Sequence, residues 1–318
     1  MKVKRDFMWA VLVHLGTNLW YEEGNFRGDG KKIWQQPASP KMRFDRATWD
    51  KTVERFKESG VNTIILDIAE GMVYDSHPEL ATEGAWTREE MKAELERLDA
   101  MGFEVIPKLN FSVTHDYWLG EYSRMVSTSI YYKVCKDIID EVCDLFKPRF
   151  LHLGMDEECY ANQSKYDYVV IRQNDLWWHD LRYLVDCVEA NGVRAMMWSD
   201  YARHRPTEFV EKCPKSVVQC VWYYFSKFTD EDMDEMCFVR VRPLTVLDRH
   251  GYDLLPCASV EYERENLEKL AEYCVANISP EHLLGLGTTT WIATTPEWEG
   301  MLNEAADTVK ESRAATGK

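Results

Sequence analysis

The stretch Arg149-Phe150-Leu151-His152-Leu153-Gly154-Met155-Asp156-Glu157-Glu158 runs from a short apolar segment directly into three consecutive carboxylates. Neighbouring acids at the end of a buried strand repel each other, so one tends to keep its proton near neutral pH while the other stays ionised. A proton donor beside an anion is the division of labour that glycosidic bond cleavage requires. Asp156 and Glu157 are therefore the candidate catalytic pair. A second reading of the same two residues is a helix N-terminus, where acids are stabilised by the helix dipole and need no chemistry. Glu158 is assigned to solvent or to capping, and His152, inside the strand, to a hydrogen-bonded place in the core.

These acids need a scaffold, and the surrounding pattern supplies one. Apolar runs at 7–15, 61–69, 103–110, 149–154, 193–199, 216–223, 252–258 and 283–291 alternate with helical patterns at 45–59, 87–101, 129–146, 173–191, 207–212, roughly 229–249, 261–277 and 297–313. Alternation of this kind argues for a parallel sheet covered by helices. Eight repeats fit a closed (β/α)₈ barrel better than a doubly wound sheet, which more often stops at five or six strands. A barrel of 318 residues forms one domain, 1–318, with a large core. Asp45 and Thr87-Arg88-Glu89-Glu90 are helix starts, and Gly60, Gly102 and Gly192 each stop a helix before the next strand. The connection 16–44, with Trp20, Tyr21, Trp34 and Gln36-Pro37-Ala38-Ser39-Pro40, is expected to form an ordered loop over the barrel mouth.

Active sites of such barrels lie at the carboxyl ends of the strands. His14, Asn18 and Trp20 follow strand one, Asp67 and Glu70 strand two, and Asn110, His115, Asp116 and Trp118 strand three. Beyond the acids of strand four come Trp198, Asp200 and Tyr201, then Trp222 and Tyr223, Glu261 and Tyr262, and Trp291. For any one Trp, core packing is the commoner fate. Indoles at three strand ends around a carboxylate pair instead describe an aromatic pocket for a small polar ligand.

Composition narrows the ligand. Lys and Arg number 38 against 54 Asp and Glu, a formal charge of -16, which repels polyanions such as nucleic acid and favours a neutral substrate; the 12 Trp and 16 Tyr suit the apolar faces of a carbohydrate as well as a core. Nine cysteines without a Cys-x-x-Cys pair argue against a disulfide framework, and Cys135, Cys143, Cys187 and Cys274 fall in helical patterns as small buried hydrophobes. Met1 to Leu15 imitates a signal peptide, but its apolar run is short and no cleavage site follows, so it is read as the first strand. No segment approaches the ~20 apolar residues that span a bilayer. The expectation is a cytoplasmic protein without membrane contact, with export as the alternative. No cofactor is expected, and a metal-dependent hydrolase is disfavoured because no His-x-His ends strand one.

The segment His152-Leu153-Gly154-Met155-Asp156-Glu157 resembles the His-x-Gly-Gly-Asp-Glu motif of the family 20 glycoside hydrolases, mainly β-N-acetylhexosaminidases. Val105-Ile106-Pro107-Lys108-Leu109-Asn110 leading to His115 is similar to that family's strand-three Ile-Pro-Glu-x-Asp and its following His. Met197-Trp198-Ser199-Asp200, Gln219-Cys220-Val221-Trp222 and Gly285-Leu286-Gly287 running to Trp291 extend the resemblance over the barrel. The resemblance implies a retaining, substrate-assisted reaction, outside the ordinary two-carboxylate scheme. The substrate's 2-acetamido oxygen would attack, Asp156 would orient the amide and stabilise an oxazolinium, and Glu157 would act as general acid and then base. His115, with Glu70 behind it, would support the acid. Trp198, Trp222 and Trp291 would enclose the acetamido group, and Tyr262 is a candidate hydrogen bond to its oxygen.

Met155 stands where the family has a second Gly, His14 and Asn18 stand where it has a sugar-gripping Arg, and its Trp-x-Glu on strand eight is Trp291-Ile292-Ala293, with Glu297 the nearest acid downstream. The last two departures fall on groups that hold the terminal sugar, leaving gluco or galacto configuration and exo action open. Two other functions are also carried forward. One is a conventional glycosidase pairing Glu157 with Asp200, Glu70 or Glu261; the other is a sugar-binding barrel without turnover.

Overall fold

The computed structural model describes residues 7–16, 38–163, 169–229 and 231–318. The expected mouth loop falls largely outside these residues, including Asn18, Trp20, Tyr21, Trp34, Gln36 and Pro37. Eight strands form the sheet: β1 (Met8–His14), β2 (Thr63–Asp67), β3 (Glu104–Lys108), β4 (Phe150–His152), β5 (Arg194–Trp198), β6 (Val218–Cys220), β7 (Cys257–Ser259) and β8 (Gly285–Ala293). All pair in parallel, in the order β6-β5-β4-β3-β2-β1-β8-β7. The bridges Gln219↔Leu254 and Trp222↔Cys257 join the two ends and close the (β/α)₈ barrel.

The expected strands are found within a few residues, with one instructive shift. The seventh was read at 252–258, but regular pairing starts only at Cys257. Leu254 already bridges both neighbours, and Pro256, which has no N–H to donate, interrupts the ladder before it is established.

Around the barrel run α1 (Arg46–Ser59), α2 (Arg88–Met101), α3 (Ser129–Phe146), the one-turn α4 (Tyr160–Gln163), α5 (Asp175–Ala190), α6 (Tyr201–His204), α7 (Pro206–Lys212), α8 (Glu235–Arg249), α9 (Asn266–Asn277) and α10 (Glu299–Thr316). Their ends follow local chemistry. Asp45 accepts from the backbone N–H of Thr48, and Thr87 and Glu90 form a reciprocal capping box. Gly60 and Gly102 close α1 and α2 in the left-handed conformation. Helix α9 starts at Asn266 rather than near 261, which leaves Glu261 and Tyr262 in a loop beside the mouth.

Period-two alternation along β1 divides the core. Met8, Ala10 and Leu12 point into the barrel with Ile65, Ile106, Phe150, Met196 and Val218, whereas Trp9, Val11 and Val13 pack outward under the helices. All nine cysteines are free, and eight of them are buried.

The β1–β8 seam is closely packed: a Cβ on Gly285 would sit 2.3 Å from the carbonyl oxygen of Met8. Gly285→Ala is expected to lower unfolding free energy in urea by about 1–3 kcal/mol. Gly300, in α10 with nothing within 4 Å of an added Cβ, provides the opposite control. Gly300→Ala is expected to stabilise by ~0.5–1 kcal/mol.

Candidate active site

After β4 the chain enters a cramped turn in which Gly154, Met155 and Glu157 have φ of 74°, 70° and 54°. Left-handed backbone costs a residue with a Cβ roughly 1–2 kcal/mol. Met155, standing where the resembled family has glycine, therefore adopts the backbone a glycine would take. Gly154 is obligatory, since a Cβ there would lie 2.0 Å from Oδ1 of Asn110.

Neighbouring strands hold this turn in place. Asn110 Nδ2 donates to Asp156 Oδ1 at 2.9 Å, Ser112 and Thr114 hydroxyls donate to the Asp156 carbonyl, and Trp118 Nε1 fixes Asn110 through its carbonyl at 2.8 Å. From the far side, Asp200 Oδ2 accepts the backbone N–H of Glu157 at 2.9 Å. Neither acid belongs to a helix, because α4 begins only at Tyr160. The helix-dipole reading of Asp156 and Glu157 therefore does not apply.

The turn opens on a cavity of about 440 Å³ at the carboxyl ends of the strands, lined by Glu70, Asn110, His115, Asp156, Glu157, Trp198, Trp222, Tyr262 and Trp291 among others. Its two acids differ in exposure. The Asp156 side chain is 10% exposed and that of Glu157 41%, so Asp156 faces the interior and Glu157 the mouth. His115 Nε2 lies 3.4 Å from Glu157 Oε2 and 3.6 Å from Asp156 Oδ2. Asn162 Nδ2 donates to the Glu157 carbonyl and, at 3.3 Å, to its carboxylate. Glu70 reaches the cavity from the 3₁₀ turn after β2 and is buried.

The indoles arrive by different routes. Trp198, fully buried at the end of β5, packs against His152 and lies 6.0 Å from the Trp291 ring. Its Nε1 finds no hydrogen-bond acceptor among the described residues. Trp291 sits in a bulge where β8 inserts extra residues against β1, with φ of 45°, and bulges re-aim side chains in this way. Its Nε1 donates to the Tyr224 hydroxyl at 3.1 Å. Tyr262 is half-exposed at the rim and stacks on Tyr224.

Asp200, expected among the ligand-binding residues, is not on the cavity wall. It stands behind it, one oxygen taking Glu157 N–H and the other taking Trp222 Nε1. Burial pushes its carboxyl up to about 6; the Arg203 charge opposes this, while Asp156 and Glu157 add to it. Asn110 lines the cavity, yet its amide is committed to Asp156.

Two further expectations are corrected. Glu158 is neither solvated nor a cap: its carboxylate is buried against Arg172, which also donates to the Phe111 carbonyl and lies 3.5 Å from Asp180. An acid reading as surface is thereby an anchor between the β3 and β4 loops, through a partner 14 residues away across a loop. Asp116 is fully buried and does not line the cavity, with neither carboxylate oxygen hydrogen-bonded among the described residues. Burial raises its pKa to about 7, against the opposing charges of Arg172 and Arg124.

Sequence reasoning missed Lys108, Tyr224, Arg43 and Arg240. Lys108 is fully buried on the cavity wall and paired with Asp67, which also faces His14 at 3.4 Å. Against its burial, Lys108 and His14 hold the Asp67 carboxyl down at about 2. The signal was visible: a lysine ending a buried strand demands a counter-charge. Arg43, half-buried before α1, lies near enough to Glu70 for that carboxylate to oppose the loss of its proton on burial.

Removing the buried cation should be costly, because it strands two acids. Arg172→Met is expected to lower unfolding free energy by about 3–5 kcal/mol. For Asp116, the folded state keeps a proton that the unfolded chain releases near pH 4, so stability declines as pH rises from about 4 to about 7. Asp116→Asn is expected to abolish that decline, raising the melting temperature above pH 7 but not at pH 4.

The catalytic-domain model of glycosyl hydrolase family 20 matches residues 107–235, the segment that carries both acids, His115, Asn110, Trp198, Asp200 and Trp222. A lacto-N-biosidase from Bifidobacterium bifidum is 22% identical over 177 residues, 48% of this chain, which spans only 16% of that protein's length. Among solved structures, a Flavobacterium johnsoniae chitobiase superposes with a TM-score of 0.64 at 14% identity, over 96% of this chain and 48% of its own. A Streptomyces plicatus β-hexosaminidase with GlcNAc bound gives 0.63 at 12% identity, over 98% and 68%. A Bacteroides fragilis β-N-acetylhexosaminidase gives 0.59 at 15%, over 94% and 65%. The segment 107–235 is thus similar to the family 20 glycosyl hydrolase catalytic domain, and the whole chain shares the barrel fold of these solved structures.

Proposed function

We propose that the protein hydrolyses terminal β-linked N-acetylhexosamine by a retaining, substrate-assisted mechanism. The observation that carries this reading is the division between the two acids: Asp156 is immobilised by Asn110 inside an indole-walled cavity, and Glu157 stands at the mouth against His115.

In the reaction, the 2-acetamido oxygen attacks the anomeric carbon as the bond to the leaving oxygen breaks. Glu157 delivers its proton to that oxygen. Asp156 accepts a hydrogen bond from the amide N–H and stabilises the positive oxazolinium, an electrostatic role suited to a buried, fixed carboxylate. Water then attacks the anomeric carbon, giving a proton to Glu157, and the amide is restored. The packed faces of Trp198, Trp222 and Trp291 exclude other water. The Streptomyces plicatus β-hexosaminidase, which shares this fold, was solved in complex with GlcNAc as product.

A conventional mechanism that pairs Glu157 with Asp200 is less well supported, because Asp200 has both oxygens engaged, by Glu157 N–H and by Trp222; of its other candidate partners, Glu70 lines the cavity and Glu261 does not.

Aryl β-N-acetylglucosaminide and β-N-acetylgalactosaminide are the test substrates. Turnover should be blocked by a thiazoline analogue of the oxazolinium, and Asp156→Asn and Glu157→Gln should each reduce it ~10²-fold or more. With a 2,4-dinitrophenyl leaving group, which departs without a proton, Glu157→Gln should lose far less in glycosylation. Unchanged rates on the ordinary aryl substrate in Glu157→Gln would overturn the acid assignment.

A further inference from the structure

Arg240, on α8, lines the cavity with its guanidinium 5.5 Å from the Trp222 ring and 5.4 Å from that of Phe225. Most arginines of this acidic chain have found a carboxylate: Arg97 takes Glu94, Arg149 takes Glu104, Arg172 takes Glu158 and Arg194 takes Asp253. Arg240 has none and makes no hydrogen bond among the described residues. Its contacts are aromatic faces, which satisfy its plane and leave its five N–H donors open.

A second guanidinium reinforces it. Arg203, buried, lies 3.5 Å over the same Trp222 ring, donates to the Trp222 carbonyl at 2.9 Å and stays 3.9 Å from Asp200. Burial is the main influence lowering its proton affinity, Asp200 opposes it and the Arg240 charge adds to it, so the two cations feel each other. A second hollow of about 510 Å³ shares Arg240 with the cavity and is also lined by Arg203, His204, Asp234, Glu235 and Met236. Of its acids, Asp234 caps α8 and faces Lys227 at 4.0 Å, and Glu235 is exposed in the first turn of α8.

The position of this pair assigns its use. Asp200 lies 3.9 Å from Arg203 and accepts the backbone N–H of Glu157, so Arg240 and Trp222 on the cavity wall, with Arg203 packed behind Trp222, stand on the proton donor's side, where the leaving group departs. We propose that Trp222, Arg203 and Arg240 form an aglycone subsite for a leaving sugar that bears an anionic group, a carboxylate or a sulfate ester. A planar guanidinium receives either through paired charge-assisted hydrogen bonds, whereas a neutral aglycone leaves two like charges facing each other. The inference rests on the glycosidase reading above.

The test compares three 4-nitrophenyl β-N-acetylhexosaminides whose ring carries a 3-carboxylate, a 3-sulfonate or a 3-carboxamide, on wild type, Arg240→Gln and Arg240→Lys. The anion-to-carboxamide ratio of kcat/KM should fall about tenfold from wild type to Arg240→Gln, with Arg240→Lys retaining part of it. A fall for the carboxylate alone points to a uronate-type leaving sugar, and one for the sulfonate alone to a sulfated sugar. An equal ratio in wild type and Arg240→Gln overturns the subsite while leaving the glycosidase reading intact. If none of the three is turned over, the glycosidase reading fails first. Titration of the same glycosides against tryptophan fluorescence then decides the subsite, which falls if the carboxamide binds as tightly as the anions.

Discussion

The structure depends on a short turn held against its own preference. Gly154, Met155 and Glu157 occupy left-handed backbone, and two of the three carry a Cβ that makes it unfavourable. The turn persists because Asn110, Ser112, Thr114 and Asp200 supply hydrogen bonds from the strands on either side. The consequence is chemical as well as structural. The restrained turn keeps Asp156 buried and Glu157 at the mouth, with both carboxylates beside His115 Nε2. Backbone strain of this kind clusters where geometry matters for function.

Around that turn, the cavity is assembled from contributions that balance charge as well as shape. The wall includes an Asp67–Lys108 pair with His14 beside it, which puts strong polarity in the barrel without a net local charge. Unpaired, either partner would be expensive to bury. On the opposite side Asp200 joins the Glu157 backbone to Trp222, so the acid and one aromatic wall are linked through a single carboxylate. The cavity is therefore closed at its centre, where Asp156 and Trp198 are buried, and more open at the rim, where Glu157 and Tyr262 are exposed.

Much of the barrel was legible in the sequence because its signals are local. Strand alternation, the Asp45 cap, the Thr87 box and glycine stops each depend on a few neighbouring residues, and each is found where the pattern put it. The same holds for the acids, since strand ends define the site face of such a barrel. Pairing partners were not legible. Glu158 reads as surface until Arg172 folds over it, and Asp200 reads as a ligand group until Trp222 and Glu157 claim both oxygens. Asp116 adjoins His115 in the chain but faces the opposite way, into a buried site.

The amino-acid order by itself determined the eight-fold alternation, the placement of adjacent acids just after the fourth strand and the aromatic wealth at the strand ends, because hydrophobic period and turn chemistry act over a few residues. Only the tertiary structure decided which acid is buried, which carboxylates are already spent, how a bulge turns Trp291 inward, and that Arg240 meets aromatic faces and no carboxylate among the described residues. Those outcomes follow from contacts between segments tens to hundreds of residues apart. The free energy of a charge depends on which neighbours the fold brings to it.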